Sequence, residues 1–329
     1  MFVYTSIYIS IHLPIYLYLY IHTHLSTDFF SPANVMKLVE VVKGDNSDIN
    51  VVKACLGVAK KLSKVSVVSG NCDGFIGNRM LKPYAKEGTF LLEEGCTPKQ
   101  IDTALKSEVG LAMGLLEMFD LAGGDIGYRQ REEQGLVDIN TRPNANELKY
   151  STLPDKLCEY GFYGQKSGRG WYIYDPKSPR KPIENEDTIQ FIQKHRIDCN
   201  ITPRDDITNQ EIIERCLYPL INEGFKILEE GISMRSNDID IIYTNGYGFP
   251  KNKGGPMYWA EREIGLTEIY KKLKFYYELY PKQEYFKPCQ LLIDLVESGS
   301  SISEELYCRD IENIKLKELK LKEKLKEIK

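Results

Sequence analysis

Histidine is scarce in this chain of 329 residues, and most of its copies lie at one end. Of the four histidines, His12, His22 and His24 fall within the first 24 residues, and only His195 lies further on. Histidine is the side chain that most often moves protons near neutral pH. The body of the chain therefore offers little choice of a histidine base.

Paired cysteines and an excess of basic charge are also missing. The eight cysteines are scattered without a Cys-x-x-Cys pair, which argues against a zinc site and suits buried thiols in a reducing compartment. Lys plus Arg number 43 against 47 Asp plus Glu, so nothing indicates a nucleic-acid partner. The composition, 42% apolar and 27% charged, is that of a soluble globular protein. The length predicts about two domains.

The two ends of the chain differ from its middle. Residues 1–27 carry no charged side chain and form a run rich in Ile, Tyr and Leu that Pro14 interrupts. Since the basic segment of a signal peptide is missing, we expect an unrelated low-complexity extension rather than a targeting or membrane segment. Residues 309–329 form a Lys-rich tail, expected to be solvated and partly helical, with membrane-surface or partner binding as the alternative.

A strand–helix–strand pattern follows the extension. Residues 36–42 are apolar and β-branched and predict a strand, residues 49–62 have helical spacing, and residues 65–68 predict a second strand. Parallel strands need a larger sheet to bury them, and no segment upstream suggests a partner strand. We therefore expect residues 29–69 to be poorly ordered or to aggregate when isolated.

The remainder is predicted to be helical and contains an internal repeat. Eight residues recur 136 positions later, namely Arg79, Pro83, Glu87, Gly88, Leu92, Glu93, Glu94 and Gly95 as Arg215, Pro219, Glu223, Gly224, Leu228, Glu229, Glu230 and Gly231. Each copy has a proline within a helical pattern and a glycine suited to end the helix. Residues 208–211 predict a capping box before the second copy. Two related helical units are expected, at 71–200 and 201–308, joined by a connection at 178–187.

Four long motifs carry a resemblance to a known family. They are FFSPANVMKLVEVV from Phe29, GNCDGFIGNRMLKPY from Gly70, YGQKSGRGWYIY from Tyr163 and NGYGFPKNKGGPMYWA from Asn245. In this order they resemble the L-3-hydroxyacyl-CoA dehydrogenase part of the multifunctional fatty-acid β-oxidation enzymes of peroxisomes and bacteria. The resemblance covers about residues 29–303.

The resemblance implies a mainly α fold. Two repeated helical dehydrogenase C-terminal domains are expected after the last βαβ piece of a Rossmann domain at 28–70. The implied reaction is the NAD-dependent oxidation of L-3-hydroxyacyl-CoA to 3-ketoacyl-CoA. The implied compartment is the peroxisome, or otherwise the cytoplasm or mitochondrion, although the chain ends Glu-Ile-Lys and not in the Ser-Lys-Leu peroxisomal signal.

The same resemblance assigns four site residues. Glu40 matches the glutamate that orients the catalytic histidine, and Ser31 and Asn78 match positions beside the substrate. The position of the histidine itself holds Asp28. An aspartate, with an ordinary pKa of about 3.9, is a weaker base than imidazole, and its charge would repel that of Glu40.

The glycine fingerprint of a dinucleotide site, Gly-x-Gly-x-x-Gly after a strand, is absent, so we assign no cofactor-binding residue. The hydratase half of the multifunctional enzymes is absent too. We therefore expect an incomplete chain with weak activity or none. The alternative is a non-catalytic helical module that dimerises or contacts acyl-CoA. The resemblance allows a homo-oligomer through the helical domains.

Other candidate groups favour structural roles. Glu117 and Asp120 could form a carboxylate pair, but they lie in a stretch that the resemblance assigns to helix packing. His195, within Lys-His-Arg, is predicted to be solvated. Four glycines lie among aromatic residues and predict tight turns rather than a phosphate cradle, namely Gly246, Gly248, Gly254 and Gly255.

Overall fold

A computed structural model of the chain describes residues 25–30, 32–138, 140, 149–178 and 181–306. The strands in these ranges are β1 Leu25–Phe29, β2 Leu38–Lys43, β3 Val65–Gly70, β4 Tyr172–Tyr174 and β5 Pro182–Glu184. The helices are α1 Ile49–Lys61, α2 Gly77–Glu94, α3 Pro98–Ala104, α4 Leu115–Ala122, α5 Gly124–Glu133, α6 Leu153–Glu159, α7 Glu186–Asp198, α8 Asn209–Glu229, α9 Ser236–Gly246, α10 Pro256–Trp259, α11 Leu266–Leu279 and α12 Gln290–Ser298. Short π turns extend α3 and α10. Ser31, most of the low-complexity extension and the Lys-rich tail lie outside the described residues.

The N-terminal piece is a three-stranded sheet in the order β1-β2-β3. Strands β2 and β3 are parallel and are joined by α1, which confirms the predicted βαβ unit. The expectation that no partner strand lies upstream is wrong, because β1 pairs antiparallel with β2. The sequence of β1, Leu-Ser-Thr-Asp-Phe, lacks the apolar alternation that announces a strand, so pattern reasoning missed it. The predicted strand at 36–42 begins two residues later, at Leu38.

The central helices α2 and α8 carry the two copies of the repeat and pack against each other. Arg79, near the start of α2, binds Glu223 and Glu230 toward the end of α8, at 2.6–2.8 Å. The same positions pair in the opposite direction, since Arg215 of α8 binds Glu87 and Glu94 of α2. The helices are therefore antiparallel, and the repeated arginines and glutamates form one self-complementary interface, as at the axis of a two-fold dimer.

The repeat extends beyond the eight matched residues. Asp102 accepts hydrogen bonds from the backbone N–H groups that begin α4, and Asp240 does the same at α10. Each carboxylate lies against a glycine, Gly114 or Gly255, where a Cβ atom would come within 2.5 Å of it. The sequence distance from Asp102 to Asp240, and from Gly114 to Gly255, differs by a few residues from the constant distance between the eight matched residues. Matching residues at one constant distance therefore misses these two pairs.

The helix boundaries confirm some local signals and correct others. Pro83 and Pro219 lie inside α2 and α8 as predicted, and Gly95 is the C-cap of α2. At the start of α8, Thr208 accepts a hydrogen bond from the N–H of Glu211. The Glu211 carboxylate binds Arg204 instead of closing the box. The predicted connection at 178–187 is also wrong in part, because it contains β5 and the start of α7.

Candidate functional site

Glu40 lies in the middle of β2 and is fully buried. Its carboxylate oxygens accept hydrogen bonds from the backbone N–H groups of Ile76 and Gly77, both at 3.1 Å. These groups form the first turn of α2, whose N-cap residue supplies no side-chain acceptor of its own. Glu40 therefore provides from the sheet the acceptor that a helix start requires, at the positive end of the helix dipole.

Burial sets the protonation of Glu40. Removal from water raises the pKa of Glu40 to about 8, and the two backbone N–H groups only partly offset this effect. The charge of Asp28 raises the pKa of Glu40 further. Glu40 can therefore gain and lose a proton near neutral pH.

Asp28 stands directly opposite Glu40 in the β1–β2 ladder, so the two side chains share one face of the sheet. Burial raises the pKa of Asp28 as well. The expected juxtaposition of the two carboxyls is thus present in the structure, and the charge of Asp28 makes ionisation of Glu40 harder. The third predicted residue of this region, Ser31, lies outside the described residues.

Asn78 is the second residue of α2 and is partly exposed beside this carboxyl pair. Its side-chain oxygen accepts a hydrogen bond of 2.9 Å from the hydroxyl of Tyr247, which follows α9. Gly77 makes this approach possible, since a Cβ atom there would lie 2.6 Å from the Tyr247 hydroxyl oxygen. The structure therefore brings Asp28, Glu40 and Asn78 to the start of α2 and adds Tyr247, which the sequence analysis did not single out.

An apolar cavity of about 280 Å³ adjoins the start of α2. Its wall comes from three parts of the chain, represented by Phe30 and Met36 before β2, Leu81 and Met118 of the first helical unit, and Leu217 and Phe249 of the second. Tyr247 forms part of the same wall. A cavity of this size and lining suits an apolar chain. Tyr247, a wall residue of the cavity that also binds Asn78, connects the cavity to the start of α2.

The two helix starts of the N-terminal piece do not fit the pyrophosphate of a dinucleotide. A phosphate needs free N–H groups at a helix start that follows a strand. At α1 the carboxylate of Asp48 already binds the N–H of Asn50, at 2.7 Å, and at α2 the carboxyl group of Glu40 occupies the equivalent groups. The N–H groups that a pyrophosphate would need are therefore already taken at both helix starts.

Comparison with known families shows which family the chain matches. Residues 74–174 and 212–304 match the family described as "3-hydroxyacyl-CoA dehydrogenase, C-terminal domain". Residues 21–72 match "3-hydroxyacyl-CoA dehydrogenase, NAD binding domain". The chain belongs to the 3-hydroxyacyl-CoA dehydrogenase family. The expected family and mainly α fold are thus confirmed, and NAD is the cofactor of this family.

Relatives of the family are similar over most of this chain. The chain is 47% identical over 277 residues to the peroxisomal bifunctional enzyme of Danio rerio and 42% identical over 281 residues to that of Homo sapiens. These matches cover 83% and 84% of this chain, but the chain spans only 38% of either relative.

Solved structures agree with this assignment. The crystal structure of the dehydrogenase part of multifunctional enzyme 1 from C. elegans is 28% identical and superposes with a TM-score of 0.61, covering 82% of this chain and 59% of that one. The fold is also that of 3-hydroxybutyryl-CoA dehydrogenase from Escherichia coli K12, with a TM-score of 0.64 at 24% identity, covering 84% of this chain and 71% of the other.

The carboxylates predicted to be structural are so. Asp120 accepts hydrogen bonds from the N–H groups of Trp171 and Tyr172 and from the hydroxyl of Tyr174. Glu117 binds Lys106 and the N–H of Gly114 at the start of α4. Both carboxylates hold backbone and neighbouring side chains together.

His195 corrects the sequence analysis. It was expected to be solvated, but it is 2% exposed and hydrogen-bonds Glu93 of α2 at 3.0 Å. The neighbouring Arg196 donates to the carbonyl oxygens of Leu92 and Cys96 at the end of α2. His195 and Arg196 therefore face a carboxylate and carbonyl oxygens of the end of α2. The prediction was wrong because a run of charged residues shows the sign of the charge and not whether each side chain is exposed.

The glycine-rich segment after α9 forms turns, as predicted. Gly248, Gly254 and Gly255 have positive φ angles of 69°, 75° and 121°. Gly246 lies against Leu38 and Phe30, where a Cβ atom would come within 3.1 Å of both side chains. In the sequence, Tyr247 stands out as the aromatic residue between Gly246 and Gly248. Its contact with Asn78 could not be predicted, because Asn78 is 169 positions away.

None of the helices in the described ranges combines the length and apolar character that crossing a membrane requires.

Proposed function

We propose that the chain forms the substrate-binding and proton-accepting part of an NAD-dependent 3-hydroxyacyl-CoA dehydrogenase of peroxisomal fatty-acid β-oxidation. The observation that carries this proposal is the grouping of Asp28, Glu40 and Asn78 at one helix start, where Asn78 binds Tyr247 in the wall of an apolar cavity. Family membership supports the reaction, and the names of the relatives support the peroxisome. Ser31 is proposed as a further substrate contact.

In this proposal each group has a distinct task. The cavity holds the acyl chain, and the amide N–H groups of Asn78 donate hydrogen bonds to the substrate oxygens. Oxidation of the 3-hydroxyl requires a proton acceptor. Asp28 accepts this proton, and the burial that raises its pKa makes it a stronger base than an exposed aspartate. Glu40 holds the start of α2, and because its pKa is raised to about 8 it keeps its proton near neutral pH while Asp28 carries the negative charge.

The non-catalytic alternative has its own support. An aspartate replaces the histidine of the family motif, and carboxylates occupy both helix starts at which a dinucleotide phosphate could bind. A chain of this kind binds acyl-CoA without turning it over. We also propose that the described helices form two units, 71–200 and 201–308, after a Rossmann piece at 28–70, with residues 1–27 and 309–329 outside these units. A homo-oligomer would form through the helical units.

Turnover distinguishes the two functions. Purified full-length chain is mixed with acetoacetyl-CoA and NADH, and NADH consumption is followed together with calorimetric binding of acetoacetyl-CoA. We expect binding, slow turnover that Glu40→Gln abolishes, and an increase of ~10²-fold or more in Asp28→His, because a well-placed general base contributes ~10²–10⁴-fold. Binding without turnover in either the wild type or Asp28→His would favour the non-catalytic module. Absence of binding would contradict the dehydrogenase and the acyl-CoA-contacting module, and would leave a module that only dimerises.

A further inference from the structure

Tyr247 connects the second helical unit to the substrate side of the first. Its hydroxyl donates to the side-chain oxygen of Asn78, at 2.9 Å. When the amide oxygen is held in this way, the side-chain torsion is fixed, and the N–H₂ group keeps one direction in which it can donate two hydrogen bonds. The orientation of the Asn78 donors is therefore fixed from outside α2.

The ring of Tyr247 is itself held by two aromatic neighbours. It stacks on Tyr243 with centroids 4.8 Å apart and an angle of 24°, and it meets the edge of Phe30 at 5.4 Å and 89°. The hydroxyl of Tyr243 donates to the carbonyl oxygen of Gly77, one residue before Asn78. Aromatic pairs of these geometries add stability beyond burial. The phenol therefore has little freedom to leave Asn78.

The other copy of the repeat shows a different use of the same position. The counterpart of Asn78 in α8 is Glu214, which is 3% exposed. It also receives a tyrosine hydroxyl, from Tyr276 at 2.7 Å, but its remaining capacity is used by Lys272 and Gln210. The tyrosine hydroxyl thus closes an internal network around Glu214 in the second unit. In the first unit the held amide of Asn78 is partly exposed, and its partner Tyr247 lines the cavity.

We propose that Tyr247 is a positioning residue, whose hydroxyl aims the amide donors of Asn78 at the C3 oxygen of the acyl-CoA substrate. This inference rests on the proposed function. It gives the second helical unit, which has no substrate group at the position of Asn78, a direct part in substrate recognition. If Asn78 binds the C3 oxygen, the chain has a higher affinity for acyl-CoA ligands that carry this oxygen than for those that lack it.

The preference is measured as a ratio of affinities. Full-length chain is titrated by calorimetry with acetoacetyl-CoA, which has the C3 oxygen, and with butyryl-CoA, which lacks it. Tyr247→Phe keeps the ring and removes the hydroxyl. Tyr276→Phe is the matched control, because it removes the hydroxyl that binds Glu214, the counterpart of Asn78 in the second copy. We expect the ratio to fall about tenfold in Tyr247→Phe, the upper range for one hydrogen bond, and to stay unchanged in Tyr276→Phe.

A spectroscopic readout accompanies the titration. In ¹⁵N-labelled chain, the side-chain amide resonance of Asn78, assigned by its loss in Asn78→Ala, should shift in Tyr247→Phe and not in Tyr276→Phe. An unchanged affinity ratio in Tyr247→Phe, with a wild type that prefers acetoacetyl-CoA, would overturn the inference alone. A wild type without this preference would overturn the proposed function and the inference with it.

Discussion

The two central helices carry the same repeated residues in different surroundings. Arg215 and Glu87 are fully buried, whereas the side chain of Arg79 is 15% exposed and that of its partner Glu230 is 49% exposed. The residues just before the arginines differ as well, since α2 has Asn78 and α8 has the buried Glu214. The repeated motif therefore forms a buried ion pair around Arg215 of α8. Around Arg79 of α2 it forms a partly exposed ion pair next to the candidate site.

The start of each helix shows the same division. Thr208 caps α8 with its own hydroxyl, through a hydrogen bond that spans three residues. The start of α2 is capped by Glu40, which lies 36 residues earlier in the sheet. A local cap needs only the helix, but a cap from the sheet makes α2 depend on the N-terminal piece. The start of α2 thus depends on Glu40 of the sheet for its stability, and the same contact places a carboxyl group at the site.

The largest expected effect concerns the two arginines. Arg215→Met leaves Glu87 buried without its cation, and removal of one partner of a buried pair costs ~3–5 kcal/mol. Arg79→Met is the matched variant at the repeated position, and because its partners are partly exposed we expect a loss of ~1 kcal/mol or less. Urea unfolding of both variants measures the difference. Equal losses would show that the contrast in burial has no energetic consequence.

A second prediction concerns the two caps. The pKa of Glu40 is about 8 in the folded chain and near 4.5 when unfolded, so the unfolded state releases its proton first as the pH rises. The proton on Glu40 therefore contributes its full stabilisation below about pH 4.5. As the pH rises from 4.5 to 8, the free energy of unfolding falls by ~1.4 kcal/mol per pH unit. Glu40→Gln removes this slope.

Unfolding free energies measured between pH 5 and 8 test the slope. Thr208→Ala is the control, because it removes the cap of α8 and costs ~1 kcal/mol at every pH. A wild type and a Glu40→Gln variant with parallel pH curves would mean that Glu40 is ionised in the folded chain at neutral pH.

Much of this arrangement could be predicted from the sequence. The eight-residue repeat is visible directly, and the family motifs led to Asp28, Glu40 and Asn78. The reciprocal pairing of Arg79 and Arg215 could not be predicted, because the repeat does not say whether the helices meet in parallel or antiparallel orientation.

What failed depended on long-range partners. β1 has a polar sequence and exists because it pairs with β2. His195 is buried because Glu93 and the end of α2 need partners there. The glycines on either side mark Tyr247 as a turn residue, but its role depends on Asn78, and a partner 169 positions away leaves no local pattern.

The central claim is that substrate recognition belongs to the first copy of the repeat and not to the second. The most direct test compares Asn78→Ala with Glu214→Gln, its counterpart in α8, in calorimetric titrations of the full-length chain with acetoacetyl-CoA and butyryl-CoA. We predict that Asn78→Ala lowers the preference for acetoacetyl-CoA about tenfold, whereas Glu214→Gln keeps it and lowers only stability. A preference that survives Asn78→Ala, or that Glu214→Gln removes, would contradict this account.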